Sequence, residues 1–164
     1  MPYALCRTPT PSCTRIAVMP STLAAGIDAI ELVRVERTLK RHPERFLSRV
    51  YTDLEIAYCR GRLRELAVRF AAKEAMMKAL GTGVRGVGWR EIEILANRRG
   101  KPLVYLHGKA RKRADSLGMG QPEVSLSHSD TMAFAFVVAP VQDDTNYDEE
   151  KSLLIERLVR RGLL

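Results

Sequence analysis

Glu74 and Lys78, with Asp28 upstream, are the residues whose types and placement point to chemistry. The segment Arg69 to Gly83 sets one acid among three bases on a stretch of helical spacing that ends in Gly-Thr-Gly. An oxygen ligand surrounded by cations is the chemistry of a magnesium-phosphate site. Counted along a helix, Leu63, Leu66, Phe70 and Met77 fall on one stripe, and Glu74 shares it, four residues after Phe70 and three before Met77. A carboxylate thus stands where a core side chain belongs, and half-burying it costs free energy unless a cation or donors compensate. Lys78, one turn on, offers an ordinary i,i+4 partner worth roughly 0.2–0.5 kcal/mol, so on spacing alone the pair reads equally well as helix decoration. Asp28 follows an apolar run that begins at Leu23 and meets the start of a helical pattern. Its plainest role is local: with Glu31 three residues on, it forms the pattern of a capping box at a strand-to-helix junction.

These side chains need a scaffold. A strand is expected over Thr22 to Ile27 and a helix from Ala29 to about Arg41, where His42-Pro43 interrupts it. Glu44 to Val50 adds another turn or two. Thr52 and Glu55 form a second capping box opening a short helix to about Arg60. The helix bearing Glu74 runs from about Arg62 to Leu80, with Gly81 where a left-handed cap belongs. Glu91 to Leu95 and Leu103 to His107 read as strands joined by Asn97-Arg98-Arg99-Gly100. A basic helix, Lys109 to Leu117, ends at Gly118, and Val124 to Ser127 with Ala133 to Val138 forms a hairpin. Tight turns between most strands favour an α+β fold in which an antiparallel sheet packs against the long helix. The expected organisation is a disordered extension over residues 1–21, one domain over 22–140, and a charged linker with an appended amphipathic helix over 141–164.

The chain has 164 residues, the length of one domain, and 46% hydrophobic content, enough for a core. Lys and Arg number 27 against 19 Asp and Glu, a net charge of +8 that calls for an anionic partner. The basic runs Lys40-Arg41, Arg98-Arg99 and Lys109 to Arg113 are not interleaved with stacking aromatics, which disfavours nucleic acid. No apolar stretch is long enough to span a bilayer, and residues 1–21 lack the apolar core of a secretory signal. Met19 is a candidate natural start. Cys6, Cys13 and Cys59 have no metal-ligand spacing and read as reduced thiols of a cytoplasmic protein.

Taken together, Gly26-Ile27-Asp28-Ala29-Ile30-Glu31-Leu32-Val33-Arg34-Val35 and Arg69-Phe70-Ala71-Ala72-Lys73-Glu74-Ala75-Met76-Met77-Lys78-Ala79-Leu80-Gly81-Thr82-Gly83 are far more specific than either alone. They resemble the two signatures of the holo-acyl-carrier-protein synthases, the short class of the 4′-phosphopantetheinyl transferase superfamily. Val124 to Ser129 is similar to the family's late strand ending in Ser/Thr-His, and Gly100-Lys101-Pro102 to its Gly-Lys-Pro turn. The resemblance spans about residues 23–140.

The resemblance implies transfer of 4′-phosphopantetheine from coenzyme A to a serine of apo-acyl carrier protein, in support of fatty acid biosynthesis. It makes Asp28 and Glu74 the ligands of Mg2+, and Glu74, or a water it orients, the acceptor of the serine proton. Lys78 matches the lysine that stabilises phosphate oxygens or the leaving group. Arg69 matches a contact for the adenosine bisphosphate part, while Lys73, on the same face, reads as readily as a solvated surface charge. Gly81 and Thr82 bring backbone N–H groups towards the coenzyme, with a plain helix cap as the alternative. His128 becomes a contact for the 3′-phosphate or the reacting centre. The acidic carrier protein is expected to meet the first helix at Arg34, with Arg37 and Arg45 in the same basic segment. The family's short members are homotrimers with sites at subunit boundaries, so a homotrimer is implied here.

Overall fold

A computed structural model describes residues 22–142 and 145–164. The expected disordered extension over 1–21, with Cys6, Cys13 and Met19, lies outside the described residues, as do positions 143 and 144 of the expected linker.

Strand β1 (Thr22–Glu31) leads into helices α1 (Leu32–Arg41), α2 (Pro43–Val50) and α3 (Asp53–Cys59), then the long helix α4 (Leu63–Ala79). The short helix α5 (Gly83–Gly86) and a 3-10 turn (Trp89–Glu91) precede the hairpin of β2 (Ile92–Ala96) and β3 (Pro102–Leu106). Helix α6 (Gly108–Ser116), strands β4 (Glu123–His128) and β5 (Met132–Val141), and helix α7 (Tyr147–Arg160) follow. The strands form two antiparallel sheets, one ordered β1-β5-β4 and one of β2 and β3. The fold is α+β with α4 against the three-stranded sheet, as the turn pattern implied.

Alternation explains the larger sheet. Ala24, Gly26, Asp28 and Ile30 of β1, with Ala133, Ala135 and Val137 of β5, turn towards α4, whereas Leu23, Ile27, Phe134 and Phe136 face out and remain exposed. Helix α4 answers with small side chains: Ala67, Ala71, Ala72 and Ala75 are fully buried. The contact is so close that a Cβ on Gly26 would lie 1.9 Å from the Ala75 carbonyl oxygen. Gly26 therefore lets the strand carrying Asp28 lie against the helix carrying Glu74. A second cluster, Val50, Tyr51, Cys59 and Leu66, fills the space under α2 and α3. Burial pushes the Cys59 thiol up to about 11, which leaves it protonated and unreactive at neutral pH.

Two expectations change. Helix α1 begins at Leu32, not Ala29, so Asp28 lies inside β1, opposite Ala135. The capping box of Asp28 and Glu31 does not form: the residue before the helix is Glu31, without a side-chain cap bond, and the Leu32 amide donates to the Thr131 carbonyl at 2.8 Å. A ladder with β5 over all ten residues of β1 outweighs one local cap worth about 1 kcal/mol. Lys73 is not a solvated charge but fully buried, 2.8 Å from the equally buried Glu55. Its ammonium also donates to the carbonyls of Trp89, at 2.9 Å, and Ile92. Thr52 and Glu55 do form the expected capping box, and Glu55 accepts from the Ile94 amide as well, so this buried pair has partners on both sides.

Helix α7 is capped at its start by the Asn146 side chain and ends where Gly162 turns left-handed at φ +66°. Its Leu153, Leu154, Ile155 and Val159 are exposed.

Candidate active site

Strand β1 and the C-terminal half of α4 bring Asp28, Glu74 and Lys78 together across the sheet-helix contact that Gly26 permits. Lys78 Nζ donates to Asp28 Oδ1 at 2.9 Å and to the Ile27 carbonyl at 2.7 Å. The expected i,i+4 pair of Lys78 with Glu74 is thus replaced by a cross-element pair with Asp28. Asp28 is 11% exposed, and its second oxygen, Oδ2, is buried without a hydrogen-bond donor. Glu74, close enough to share a proton with it, offers none while ionised. Burial pushes the Glu74 carboxyl up to about 7, and the neighbouring Asp28 adds to the rise, against the weaker pull of Lys78 and Arg34.

Two facing carboxylates, one with an orphaned buried oxygen, are offset only in part by Lys78 and Arg34, and the buried oxygen has no donor among the described residues. A hard divalent cation with oxygen ligands would satisfy it, and magnesium commonly takes one or two carboxylates and completes its shell with substrate phosphate and water. The donor set fits, although among the described residues no group of three or more His, Cys, Asp and Glu gathers as a protein-only cage.

Arg34 stands beside this pair: with Glu74, Ala29, Thr38 and Phe70 it lines a small cleft of about 170 Å³. Arg37 lies one turn further along α1 on the exposed side, and Arg45 is exposed on α2. The end of α4 is a left-handed cap. Gly81 N–H donates to the Lys78 carbonyl at 3.0 Å, Thr82 N–H to the Met77 carbonyl at 3.1 Å, and Gly81 and Gly83 have φ of +67° and +57°. The local sequence reading of Gly81 therefore holds as structure.

Arg69 and His128 are not gathered with the carboxylates in the single chain. Arg69 is 2% exposed: Nε donates to the Ile94 carbonyl at 3.1 Å, Nη1 meets Glu65 Oε2 at 2.6 Å, and the guanidinium lies 4.4 Å from the Tyr58 ring centre. His128 ends β4, opposite Ala133, whose partner on β1 is Ile30, so it stands two strands, roughly 10 Å, from the strand of Asp28. Arg69 and His128 share a separate cleft of about 300 Å³ with Tyr58 and Ser125. A far larger cleft, about 1020 Å³ between the start of α1, the start of α4 and the β4–β5 turn, also holds His128 but neither Asp28 nor Glu74. Size is a poor guide to chemistry in this molecule. Sequence reasoning did not find the role of Gly26 or the partners of Lys73, because both depend on contacts between distant segments.

This fold and site have counterparts. Residues 24–136 match the model of the 4′-phosphopantetheinyl transferase superfamily, and the chain belongs to that family. It is 51% identical over 131 residues to the holo-[acyl-carrier-protein] synthase of Moorella thermoacetica, covering 78% of this chain and 98% of that one. It is 47% identical to the synthase of Herpetosiphon aurantiacus over 71% of this chain and 97% of the relative. Among solved structures, the synthase of Neisseria meningitidis superposes with a TM-score of 0.66 at 36% identity, covering 71% of this chain and 96% of that one. The Helicobacter pylori synthase in complex with coenzyme A gives a TM-score of 0.65 at 31% identity, covering 70% and 98%. Helix α7 falls outside the matched residues.

Proposed function

We propose that this protein transfers the 4′-phosphopantetheine group from coenzyme A to a serine of apo-acyl carrier protein, giving holo-acyl carrier protein and adenosine 3′,5′-bisphosphate. The observation that carries the reading is the Asp28–Glu74 carboxylate pair, with its orphaned oxygen and adjoining Lys78, set within the residues that match the family. Asp28 and Glu74 would hold Mg2+, which when bound offsets their charge and that of the coenzyme diphosphate.

The chain's own residues supply the rest. The serine oxygen attacks the phosphorus that bears the pantetheine arm, and the bond from that phosphorus to the oxygen of the adenosine bisphosphate breaks. Glu74, directly or through a water, takes the serine proton. Lys78, 54% exposed, presents its ammonium to the phosphoryl oxygens, where charge accumulates in such transfers. Gly81 and Thr82 place backbone along the coenzyme. His128 serves the 3′-phosphate or the reacting centre, and Arg69, expected from the resemblance at the adenosine end, lines the same cleft as a buried guanidinium already held by Glu65 and the Ile94 carbonyl. Arg34, Arg37 and Arg45 receive the acidic carrier protein, which gives fast, salt-sensitive association. The work takes place in the cytoplasm and supplies fatty acid biosynthesis.

A homotrimer completes the reading. The exposed Leu23, Ile27, Phe134 and Phe136 on the outer sheet face supply apolar surface for self-association, and the separation of His128 from Asp28 within one chain suits a site shared between copies.

Intact-mass measurement of apo-acyl carrier protein incubated with this protein, coenzyme A and MgCl2 tests the proposal. One phosphopantetheine adduct, which does not form when a chelator is present from the start, is the expected result. An unmodified carrier protein at enzyme concentrations that label it with a known synthase would refute it.

A further inference from the structure

The basic run Lys109 to Arg113 has no part in the proposed chemistry, yet one of its members reaches the end of α4. Arg113 of α6 donates from Nε to the Leu80 carbonyl at 3.0 Å, and Leu80 is the residue on which α4 ends. Its Nη1 is 3.5 Å from Ser116 Oγ, and Ser116 is anchored in turn by donating to the Arg113 carbonyl at 2.7 Å. A Cβ built on Gly81 would lie 3.7 Å from Arg113 Nη2, the only heavy atom of the described residues within 4 Å of that position apart from the chain neighbours. The guanidinium thus lies alongside the turn that follows the helix, while the residue as a whole is exposed.

The polarity of α4 gives this contact its meaning. The C-terminal end of a helix carries a partial negative charge and unsatisfied carbonyls, which repel a phosphate. The proposed site nevertheless brings a coenzyme with a diphosphate to Lys78, Gly81 and Thr82, at that wrong pole. Lys78 is already drawn towards Asp28 and the Ile27 carbonyl. A fixed cation on the Leu80 carbonyl offsets the negative end of the helix, while the Gly81 and Thr82 N–H groups stay committed to the Lys78 and Met77 carbonyls and hold the turn in shape.

We propose that Arg113 is a positioning residue for coenzyme binding: it neutralises the C-terminal end of α4 and holds the Gly81–Thr82 turn ready for the phosphates of coenzyme A. This deepens the proposed function and rests on it.

The test compares Arg113→Ala, Arg113→Lys and Arg111→Ala in the full chain, by steady-state transfer to apo-acyl carrier protein and by calorimetric titration with coenzyme A alone. Arg111 is the control: it lies on the same helix and carries the same charge, but pairs with Asp115 at 2.9 Å. Arg113→Ala should raise the KM and Kd for coenzyme A by about tenfold, on the order of one charge-assisted contact, with kcat within about twofold. Arg113→Lys should recover part of the loss and Arg111→Ala should show none. A purely structural cap would instead lower the melting temperature and leave KM and Kd unchanged in the folded fraction, which would overturn the proposal. So would an equal effect of Arg111→Ala. If the wild-type protein made no adduct at all, the reading of the reaction would fail; if it did and the variants bound coenzyme A normally, only the role of Arg113 would.

Discussion

Helix α4 carries two lysines, each paired with a carboxylate from another element, and the two pairs have opposite characters. Lys73 and Glu55 are both fully buried and supplied with partners: the ammonium has two carbonyls besides the carboxylate, and the carboxylate has two backbone amides besides the ammonium. Lys78 and Asp28, little more than a turn away, sit at the edge of the packed layer, with one buried oxygen left without a donor and a second carboxylate, Glu74, facing it. A saturated pair has nothing left to offer a ligand and fastens α3 to α4 and to the start of β2. The Lys78–Asp28 pair, with a second carboxylate beside it and an oxygen without a donor, has capacity left for a ligand, which makes it the better candidate for chemistry although each pair is one lysine and one carboxylate.

The largest effect should come from removing the unsaturated pair. Asp28→Ala and Glu74→Ala should each lower the transfer rate by about 10²–10⁴-fold, the range lost with a general base or its equivalent, with the circular dichroism spectrum intact. A variant retaining near-normal transfer at saturating magnesium would break the contrast.

The saturated pair should respond in stability instead. Lys73→Met leaves the Glu55 charge buried without its counter-ion and should cost about 3–5 kcal/mol in urea denaturation, whereas Glu55→Leu with Lys73→Met should regain most of it. Burial already pulls the Lys73 pKa down against the opposing effect of Glu55. Should the double variant fold well yet lose transfer, the buried pair would have to be counted with the site.

A pH series sharpens the comparison further. The Glu74 carboxyl is raised from 4.5 to about 7, so the folded chain holds that proton more tightly than the unfolded chain. The associated stability is fully present below the unfolded value and is lost as pH rises through the folded one. Without divalent ions, the melting temperature of wild type should fall between about pH 5 and 7.5 relative to that of Glu74→Gln. Parallel curves for the two proteins in scanning calorimetry would show that neither burial nor Asp28 raises the Glu74 carboxyl in the folded chain.

The smallest effect lies outside the pair, on α1. Arg34→Glu should raise the KM for the carrier protein by about three- to tenfold, through like-charge repulsion, and leave coenzyme A affinity unchanged. Loss of coenzyme affinity with normal carrier-protein dependence would assign Arg34 to the wrong substrate.

What the sequence made legible was local. The end of α4 at Gly81 and the Thr52–Glu55 box are each settled by residues within a few positions of one another, and both appear in the structure. The stripe of Leu63, Leu66, Phe70, Glu74 and Met77 does not stand apart: α4 is buried on nearly every side, with Ala67, Arg69, Lys73 and Met76 buried off the stripe while Leu63, Phe70 and Glu74 are half-buried. The boundary after Asp28 was misread because a strand across the sheet, β5, decides it. Lys73 was ambiguous because Glu55, Trp89 and Ile92, which make its burial tolerable, arrive from three other segments. Of the candidate site residues, Asp28, Glu74, Lys78 and Arg34 prove to be neighbours. Arg69 and His128 share a cleft elsewhere, a separation that no spacing along the chain reveals.

The central claim, that Asp28 and Glu74 form a cation site and the Lys73–Glu55 pair does not, is tested most directly by calorimetric titration of MgCl2 into the protein saturated with coenzyme A. Wild type and the Glu55→Leu, Lys73→Met double variant should bind one ion per chain with the same affinity, and Glu74→Gln should bind at least about tenfold more weakly, as expected for loss of one carboxylate ligand. Equal affinity in wild type and Glu74→Gln would contradict the account.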